Sequence, residues 1–200
     1  MTEAATPEPG QDSRPVTQPE PVVLLPQDRP VFLVGMMGAG KTTIGRHLAR
    51  ALRREFLDLD HELEARCGVR VALIFDIEGE EGFRKRETTA LDECSRRSNI
   101  VLATGGGAIL APENRQMLRE RGLVVYLKAG ADELYRRVER DRNRPLLQTA
   151  DPRERLRSLL EQREPLYESV ADVTFETGTM SITQAVRTLV SMLQHYKEHP

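Results

Sequence analysis

The residues with the clearest chemistry are Gly35–Thr42, whose sequence Gly-Met-Met-Gly-Ala-Gly-Lys-Thr fits the pattern G-x-x-x-x-G-K-[ST] in full. An apolar run, Val31–Val34, precedes this segment, and a helical pattern, Thr42–Arg53, follows it. The glycines let backbone N–H groups turn inward around phosphate oxygens, and the helix N-terminus adds partial positive charge. The Lys41 ammonium can reach β- and γ-phosphates, and the Thr42 hydroxyl can coordinate Mg²⁺. The segment therefore predicts a nucleoside-triphosphate site.

Three classes of triphosphate-using protein are tested by further short patterns. A GTPase needs an Asn-Lys-x-Asp tetrapeptide to recognise guanine, and the sequence has none. Asp76–Gly79 fits D-x-x-G, but four-residue matches are common and this one lies among glutamates. The Ser-Gly-Gly-Gln signature of transport ATPases is absent, and no predicted strand ends in the Asp-Glu pair of remodelling ATPases. A small kinase with a mobile lid remains.

Two aspartates, Asp58 and Asp60, accompany the second predicted strand, Phe56–Asp58. Residues two apart on an extended strand point the same way, and ligands of open α/β sheets bind at the carboxyl ends of the strands. We expect one of the two carboxylates, together with Thr42, to contact Mg²⁺ through water, and the other to face an acceptor hydroxyl. The alternative is that Asp60 caps the following helix.

The second substrate needs its own receptor groups. Arg84 and Glu87 are three residues apart, so they are neighbours on a helix face. An arginine held by a glutamate is a good bidentate receptor for a carboxylate, although such a pair is also common on solvated surfaces. Gly105–Gly107 can bring backbone donors close to a small ligand or can serve only as a turn. Arg144 and Arg163 precede proline-containing segments and could close over a transferring phosphate or remain surface charges.

Together these segments resemble the shikimate kinases. The resemblance covers about residues 31–193 and rests on six segments in the family's order: GMMGAGKTT, FLDLD, GFRKRE, GGG, RPLL and REPLY. It implies a three-layer α/β P-loop kinase fold, similar to the nucleoside-monophosphate kinases, with a parallel five-stranded sheet in the order 2-3-1-4-5. It also implies transfer of the ATP γ-phosphate to the 3-hydroxyl of shikimate, a step toward chorismate and the aromatic amino acids, with Mg²⁺ as cofactor.

The resemblance further assigns roles to individual residues. Arg84 and Arg163 would hold the shikimate carboxylate, and Asp60 its hydroxyls. Lys41, Asp60 and Arg144 would be the catalytic groups, with Arg144 on the lid near the γ-phosphate. The implied shikimate-binding positions are Asp60, Arg84, Gly105, Gly106, Gly107 and Arg163, and the implied ATP-binding positions are Gly38, Ala39, Gly40, Lys41, Thr42, Thr43, Arg137 and Arg144.

One segment departs from the family pattern, and two other functions stay open. The family often carries a proline or a similar residue near Thr177–Ser181 to pack on adenine, whereas this chain has Thr-Gly-Thr-Met-Ser. Arg137 is at the position of the arginine that packs on adenine. The alternatives are another small-acid kinase of the same fold, such as a gluconate kinase, and a non-catalytic ATP-binding module.

The composition limits which partners, location and domain organisation we expect. Of the 200 residues, 29 are Lys or Arg and 31 are Asp or Glu, so the net charge of −2 argues against a nucleic-acid-coating protein. No apolar run long enough to span a membrane occurs. Cys67 and Cys94 predict reduced thiols in a cytoplasmic protein. We expect a monomer that binds only small molecules, with a disordered Pro/Glu-rich tail at 1–29, a domain at 30–197 and a lid at about 141–152.

The periodicity of apolar residues places the remaining elements. We predict strands at Ile100–Ala103, Leu123–Leu127 and Val173–Phe175, in addition to the two above. The predicted helices after the first are Asp60–Arg66, Glu80–Arg97, Pro112–Arg121, Ala131–Arg140, Arg153–Glu168 and Ser181–Tyr196.

Overall fold

The computed structural model describes residues 29–139, 145–178 and 180–196. The predictions for residues 1–28, for Arg144 and for Lys197 lie outside these ranges. Within them, five parallel strands form one sheet in the order β2-β3-β1-β4-β5, which confirms the order that the resemblance implies. The strands are β1 (Val31–Val34), β2 (Glu55–Asp58), β3 (Ile100–Ala103), β4 (Leu123–Lys128) and β5 (Val173–Glu176).

Helices cover both faces of this sheet, which makes a three-layer α/β architecture. The alternation of side chains along β1 sends Val31 and Leu33 into one core and Phe32 and Val34 into the other. None of the described helices has the length and continuous apolar character of a bilayer span. The helices are α1 (Lys41–Leu52), α2 (Leu59–Cys67), α3 (Val71–Cys94), α4 (Pro112–Arg121), α5 (Ala131–Val138), α6 (Pro152–Val170) and α7 (Ile182–His195), with short 3₁₀ turns at Ala108–Leu110 and Pro145–Leu147.

The two cores have different helices above them. One core packs apolar side chains of α1, α5, α6 and α7 against the sheet, and the other packs α2, α3 and α4 together with Tyr167 and Val170 of α6. Helix α6 therefore contributes to both cores. This position lets α6 reach the end of the sheet where the strands finish.

The third helix differs most from its prediction. The sequence predicts a helix over Glu80–Arg97, which matches the part of α3 after Gly79 apart from its end at Cys94, but the helical part that begins at Val71 was missed. Gly79 breaks the helical path with φ 70° and ψ −177°, a conformation that favours glycine. The glycine and the acidic residues around it interrupt the apolar pattern, so the periodicity did not predict the first two helical turns. Those turns carry the apolar residues Val71, Ile74 and Phe75.

The first helix packs on the sheet through a glycine. Gly45 of α1 is buried, and a Cβ atom placed on it would lie 2.5 Å from the Phe56 ring and 3.0 Å from Leu33 Cδ1. Real Cβ contacts are longer than this, so a larger residue must push α1 away from β1 and β2. The close approach fixes the distance between the start of α1 and the edge of the sheet.

We expect Gly45→Ala to lower the free energy of unfolding by about 1–2 kcal/mol, because overpacking outweighs the better helix propensity of alanine. Denaturant unfolding measures this change. Gly130→Ala is the matched control, because nothing lies within 4 Å of a Cβ at that exposed position. The control should change the free energy by less than about 1 kcal/mol, because Gly130 is the N-cap of α5 and alanine there costs only the difference in capping. An unchanged or raised stability of Gly45→Ala would contradict the packing argument.

Candidate active site

The predicted phosphate loop connects β1 to α1 at the carboxyl end of the sheet. Gly40 caps α1 in the left-handed region, with φ 93° and ψ 14°, which a side-chain-bearing residue adopts only with strain. The Lys41 ammonium donates to the carbonyls of Gly35 at 2.7 Å and Met36 at 3.0 Å. The lysine therefore lies across its own loop, and the first turn of α1 directs its N–H groups toward the same space.

An oxygen pair lies beside this loop. The Thr42 hydroxyl donates to Asp58 Oδ2 at 2.7 Å, and Asp58 Oδ1 accepts from the backbone N–H of Asp60 at 3.1 Å. Asp58 is thus the N-cap of α2, so the alternative in which Asp60 caps that helix is wrong. The premise that both aspartates extend one strand is also wrong, because the chain turns into α2 at Leu59. Both carboxyl groups still lie at the end of β2.

These residues fit a shared Mg²⁺ ion. Magnesium prefers oxygen ligands and is bound through one or two protein oxygens together with substrate phosphates and waters. The bonded Thr42 hydroxyl and Asp58 carboxylate are such oxygens, next to the phosphate loop. The described residues include no group of three or more His, Cys, Asp or Glu side chains that could hold a metal ion by themselves. The donor set matches a cation held jointly with a nucleotide.

A cavity of about 350 Å³ opens next to the phosphate loop. It lies between α2, α3, α6 and the segment that follows β3. Asp60, Arg84 and Arg163 all reach it, so the structure brings together three residues that are far apart in the chain. Its described lining residues are Met37, Asp60, His61, Glu64, Val71, Phe75, Phe83, Arg84, Glu87, Gly105, Gly106, Gly107, Leu146 and Arg163.

A buried ion pair forms the floor of this cavity. Arg84 Nη1 donates to Glu87 Oε2 at 2.7 Å, and Arg84 Nη2 donates to Glu80 Oε1 at 3.0 Å. The Glu87 side chain is 0 % exposed and that of Arg84 only 18 %. The solvated-surface alternative for this pair is therefore wrong. Burial raises the pKa of Glu87, and the Arg84 guanidinium opposes that rise.

The glycine run Gly105–Gly107 leaves the space that the Arg84–Glu87 pair occupies. A Cβ on Gly105 would lie 2.2 Å from Glu87 Oε1, and one on Gly107 would lie 2.2 Å from Arg84 Nη2. Neither position has room for a side chain while the pair is in place. A Cβ on Gly106 would lie 3.3 Å from the backbone nitrogen of Met37, so the same run also contacts the phosphate loop.

Helix α6 fixes the glycine run from the other side. Arg163 Nη1 donates to the Gly106 carbonyl at 3.3 Å, and the Tyr167 hydroxyl donates to the same oxygen. Arg163 is 3 % exposed, and its burial lowers the pKa of the guanidinium. Tyr167 stacks on Tyr126 with ring centroids 5.1 Å apart. The sequence reasoning found Arg163 but missed Tyr167, although the two are four residues apart on one helix face.

The nucleotide side of the site has a second arginine. Arg137 donates to the Gly38 carbonyl at 3.2 Å, the Thr177 hydroxyl at 3.1 Å and the Gly178 carbonyl at 2.7 Å. It therefore links the phosphate loop to the segment after β5, where the family pattern and this chain differ. Residue 179 of that segment lies outside the described ranges.

The apolar wall of the cavity was missed by sequence reasoning. Val71 and Phe75 belong to the part of α3 that the prediction left out, and Phe75 packs on Phe83 with ring centroids 4.4 Å apart. The signal that could have found them is the apolar spacing of Val71, Ile74 and Phe75, which fits a helix face. The acidic residues after Phe75 concealed it.

A phosphate loop, an adjacent oxygen pair and a separate polar cavity on this fold define a P-loop kinase. A model of the family described as shikimate kinase matches residues 37–194. The shikimate kinase of Bordetella avium (strain 197N) is 67 % identical over 179 residues, which is 90 % of this chain and 86 % of that protein. The chain belongs to the shikimate kinase family.

One solved structure is similar to this chain in both fold and sequence, and another is similar in fold only. A shikimate kinase from Acinetobacter baumannii in complex with shikimate superposes with a TM-score of 0.83 and 48 % identity, covering 86 % of this chain and 96 % of that one. A gluconokinase from Sinorhizobium meliloti 1021 reaches a TM-score of 0.57 at 18 % identity, covering 84 % of this chain and 92 % of that one. The second likeness shows the fold alone, so the comparisons do not favour the gluconate kinase alternative.

We expect Arg84→Met to destabilise the protein in a pH-dependent way, because it leaves the buried Glu87 carboxylate without its cation. In the unfolded chain, the Glu87 carboxyl is charged at any pH above 4.5, its ordinary pKa. In the folded chain, burial raises this pKa. The folded state then binds more protons, so stability falls as the pH rises between these two pKa values. Near pH 8 the loss should be about 3 kcal/mol, and near pH 5 clearly smaller.

Denaturant unfolding at the two pH values measures this effect. Arg86→Met is the matched control, because Arg86 pairs with Glu78 on the surface, where such pairs contribute about 0–1 kcal/mol. A loss for Arg84→Met that equals the control and does not change with pH would show that the buried pair is not an energetic unit.

Proposed function

We propose that this protein transfers the γ-phosphate of ATP to the 3-hydroxyl of shikimate, giving shikimate 3-phosphate and ADP. The observation that carries the proposal is the Arg84–Glu87 pair, buried in the floor of a cavity that borders the phosphate loop. The membership in the shikimate kinase family supports it. The product lies on the route to chorismate and the aromatic amino acids.

The acceptor pocket suits a small hydroxylated acid. Shikimate has one carboxylate and three hydroxyls on a compact ring. Arg84 and Arg163 supply two buried guanidinium groups for the carboxylate, and Asp60 supplies an acceptor for hydroxyls on the side nearer to Asp58. The backbone of Gly105–Gly107 adds N–H donors at close range, because no side chain stands in front of it.

Charge neutralisation and positioning carry most of the catalysis in phosphoryl transfer. Lys41 would hold the β- and γ-phosphates, and Thr42 with Asp58, through water, would hold Mg²⁺. When bound, Mg²⁺ supplies positive charge to the phosphate oxygens. Asp60 would orient the acceptor hydroxyl and take its proton. Arg144, which lies outside the described residues, would add charge at the γ-phosphate.

The rest of the nucleotide site follows from the phosphate loop and its neighbours. Backbone N–H groups from Gly38 to Thr43 would surround the phosphates, and Arg137 would border the base. The contacts of Arg137 with Gly38, Thr177 and Gly178 support this placement, since they anchor the arginine between the two segments.

A lid at about 141–152 would exclude water and suppress ATP hydrolysis. Its described part includes the turn Pro145–Leu147, and Leu146 lines the acceptor cavity. Asp151 caps α6, the helix that carries Arg163. The lid segment is therefore joined directly to a helix of the acceptor site.

Three further predictions complete the proposal. We infer a monomer in the cytoplasm, a domain at about 30–197 and no nucleic-acid or membrane partner. Arg29, the last residue of the expected tail, already contacts the domain, because its guanidinium donates to the Gly122 carbonyl at 3.3 Å.

The non-catalytic alternative predicts ATP binding without shikimate-dependent release of ADP.

Release of ADP, measured by a coupled assay with and without shikimate, tests the function. We expect Lys41→Met to lower kcat by about 10²–10³-fold, because one preorganised charge on the phosphates is lost. The circular dichroism spectrum should stay unchanged. Lys85→Met is the control, because Lys85 is exposed and pairs only with the surface residue Glu81. More than half of the wild-type kcat in Lys41→Met would remove this lysine from the reaction.

We expect Arg84→Lys to lower kcat/KM for shikimate at least about tenfold, because lysine keeps the charge but loses the bidentate fork. ATP affinity measured without shikimate should change little, since the guanidinium faces the acceptor cavity. Arg86→Lys, two residues along the same helix, should behave like the wild type. Steady-state kinetics with each substrate varied in turn decides between the outcomes. An unchanged kcat/KM for shikimate in Arg84→Lys would exclude this residue from acceptor binding.

A further inference from the structure

One face of α1 carries a row of arginines that the kinase reaction does not use. Arg46 and Arg50 are four residues apart in α1, so they lie on one side of the helix, and Arg53 caps its C-terminal end; all three are exposed. Arg46 lies over the Phe56 ring at 5.7 Å. Within the described part of the chain, none of the three has a carboxylate partner. We call these three residues the arginine face.

Among the described residues, the helix that packs beside the arginine face offers it no acidic group. Helix α7 packs against α1, and neither α1 nor α7 contains an aspartate or a glutamate. The next acidic residue along the chain, Glu55, accepts two hydrogen bonds from Arg97. Some other surface charges are paired, as Lys85 is with Glu81 and Arg153 with Asp132. Within the described ranges, the arginine face therefore has no ion-pair partner.

The chain before Arg29 has the opposite charge. Residues 1–28 contain five acidic side chains and one basic one, a net charge of −4, and since the whole chain carries −2 the remainder carries +2. The acidic residues are Glu3, Glu8, Asp12, Glu20 and Asp28. This segment and the rest of the chain are thus complementary in charge.

The segment joins the domain at the end of the arginine face. Arg54, the residue after Arg53, donates a hydrogen bond from its guanidinium to the Arg29 carbonyl. The nine residues from Glu20 to Arg29 can span about 30 Å when extended. The helical stretch from Arg53 back to Arg46 is only about 10 Å long. Glu20 can therefore reach every arginine of the face, whereas Asp28 stays near the end at Arg53.

We propose that the arginine face binds the acidic segment 1–28 of the same chain, chiefly through Glu20 and Asp28. The short connection gives these carboxylates a high effective concentration at the face without any specific pocket. Because the charges are exposed, the association depends on ionic strength. Residues 1–28, which we call the leader, occupy the arginine face and exclude other polyanions from it.

Amide NMR signals of residues 1–28 in the full-length protein test the proposal. At low ionic strength, about 0.01 M, where the Debye length is about 30 Å, R46Q/R50Q should shift the signals near Glu20 and Asp28. At about 1 M salt, where screening is nearly complete, the leader signals of wild type and variant should coincide. The control R119Q/R155Q removes the same charge from two exposed arginines outside the face and should leave the leader signals unchanged.

A variant of the leader itself guards against a folding defect in R46Q/R50Q. E20Q/D28N should shift the α1 amide signals around Arg46 and Arg50, and shikimate-dependent ADP release should stay at the wild-type level in both variants. Leader signals that are identical in wild type, R46Q/R50Q and R119Q/R155Q at low salt would overturn the proposal. So would binding of a single-stranded RNA oligonucleotide by the full chain that R46Q/R50Q abolishes, since the face would then serve nucleic acid.

Discussion

A fully buried carboxylate under a cavity has to be paired, and the pairing of Glu87 with Arg84 organises the acceptor half of this protein. The pair requires glycine at 105 and 107, because a side chain at either position would overlap it. It also turns Arg84 from a flexible surface arginine into a group with one fixed orientation, since Glu80 and Glu87 bind it from two sides. Fixed donors discriminate between ligands better than mobile ones do, because less conformational freedom is lost on binding.

The carbonyl of Gly106 connects the two halves of the site. Arg163 and Tyr167 of α6 both donate to it, while the backbone of Gly106 lies against the phosphate loop near Met37. A movement of α6 would therefore change contacts at both the cavity and the phosphate loop. Helix α6 begins at Pro152, with Asp151 as its N-cap, so the segment 145–151 is joined directly to the helix that carries Arg163.

The charges of the molecule are distributed unevenly. At the cavity, the Arg84 guanidinium is bonded to two carboxylates, those of Glu80 and Glu87. On the opposite side, α1 and α7 carry no acidic residue at all. The two cores explain how this separation is possible, because α1 and α7 cover one face of the sheet while α2, α3 and α4 cover the other.

The sequence by itself determined the phosphate loop, the strand pattern and the pairing of Arg84 with Glu87, because each depends on residues that are close in the chain. Through the resemblance of six segments taken together, it also predicted a shared site for Asp60 and Arg163, which line the same cavity. The cap of α2 by Asp58 and the helical turns from Val71 are local features that the sequence analysis missed, because either aspartate could cap and the acidic residues after Phe75 obscured the apolar spacing. Only the tertiary structure decided that Arg163 and Tyr167 bind the Gly106 carbonyl. That contact joins elements which the chain brings together on folding, and no local period or short motif records it.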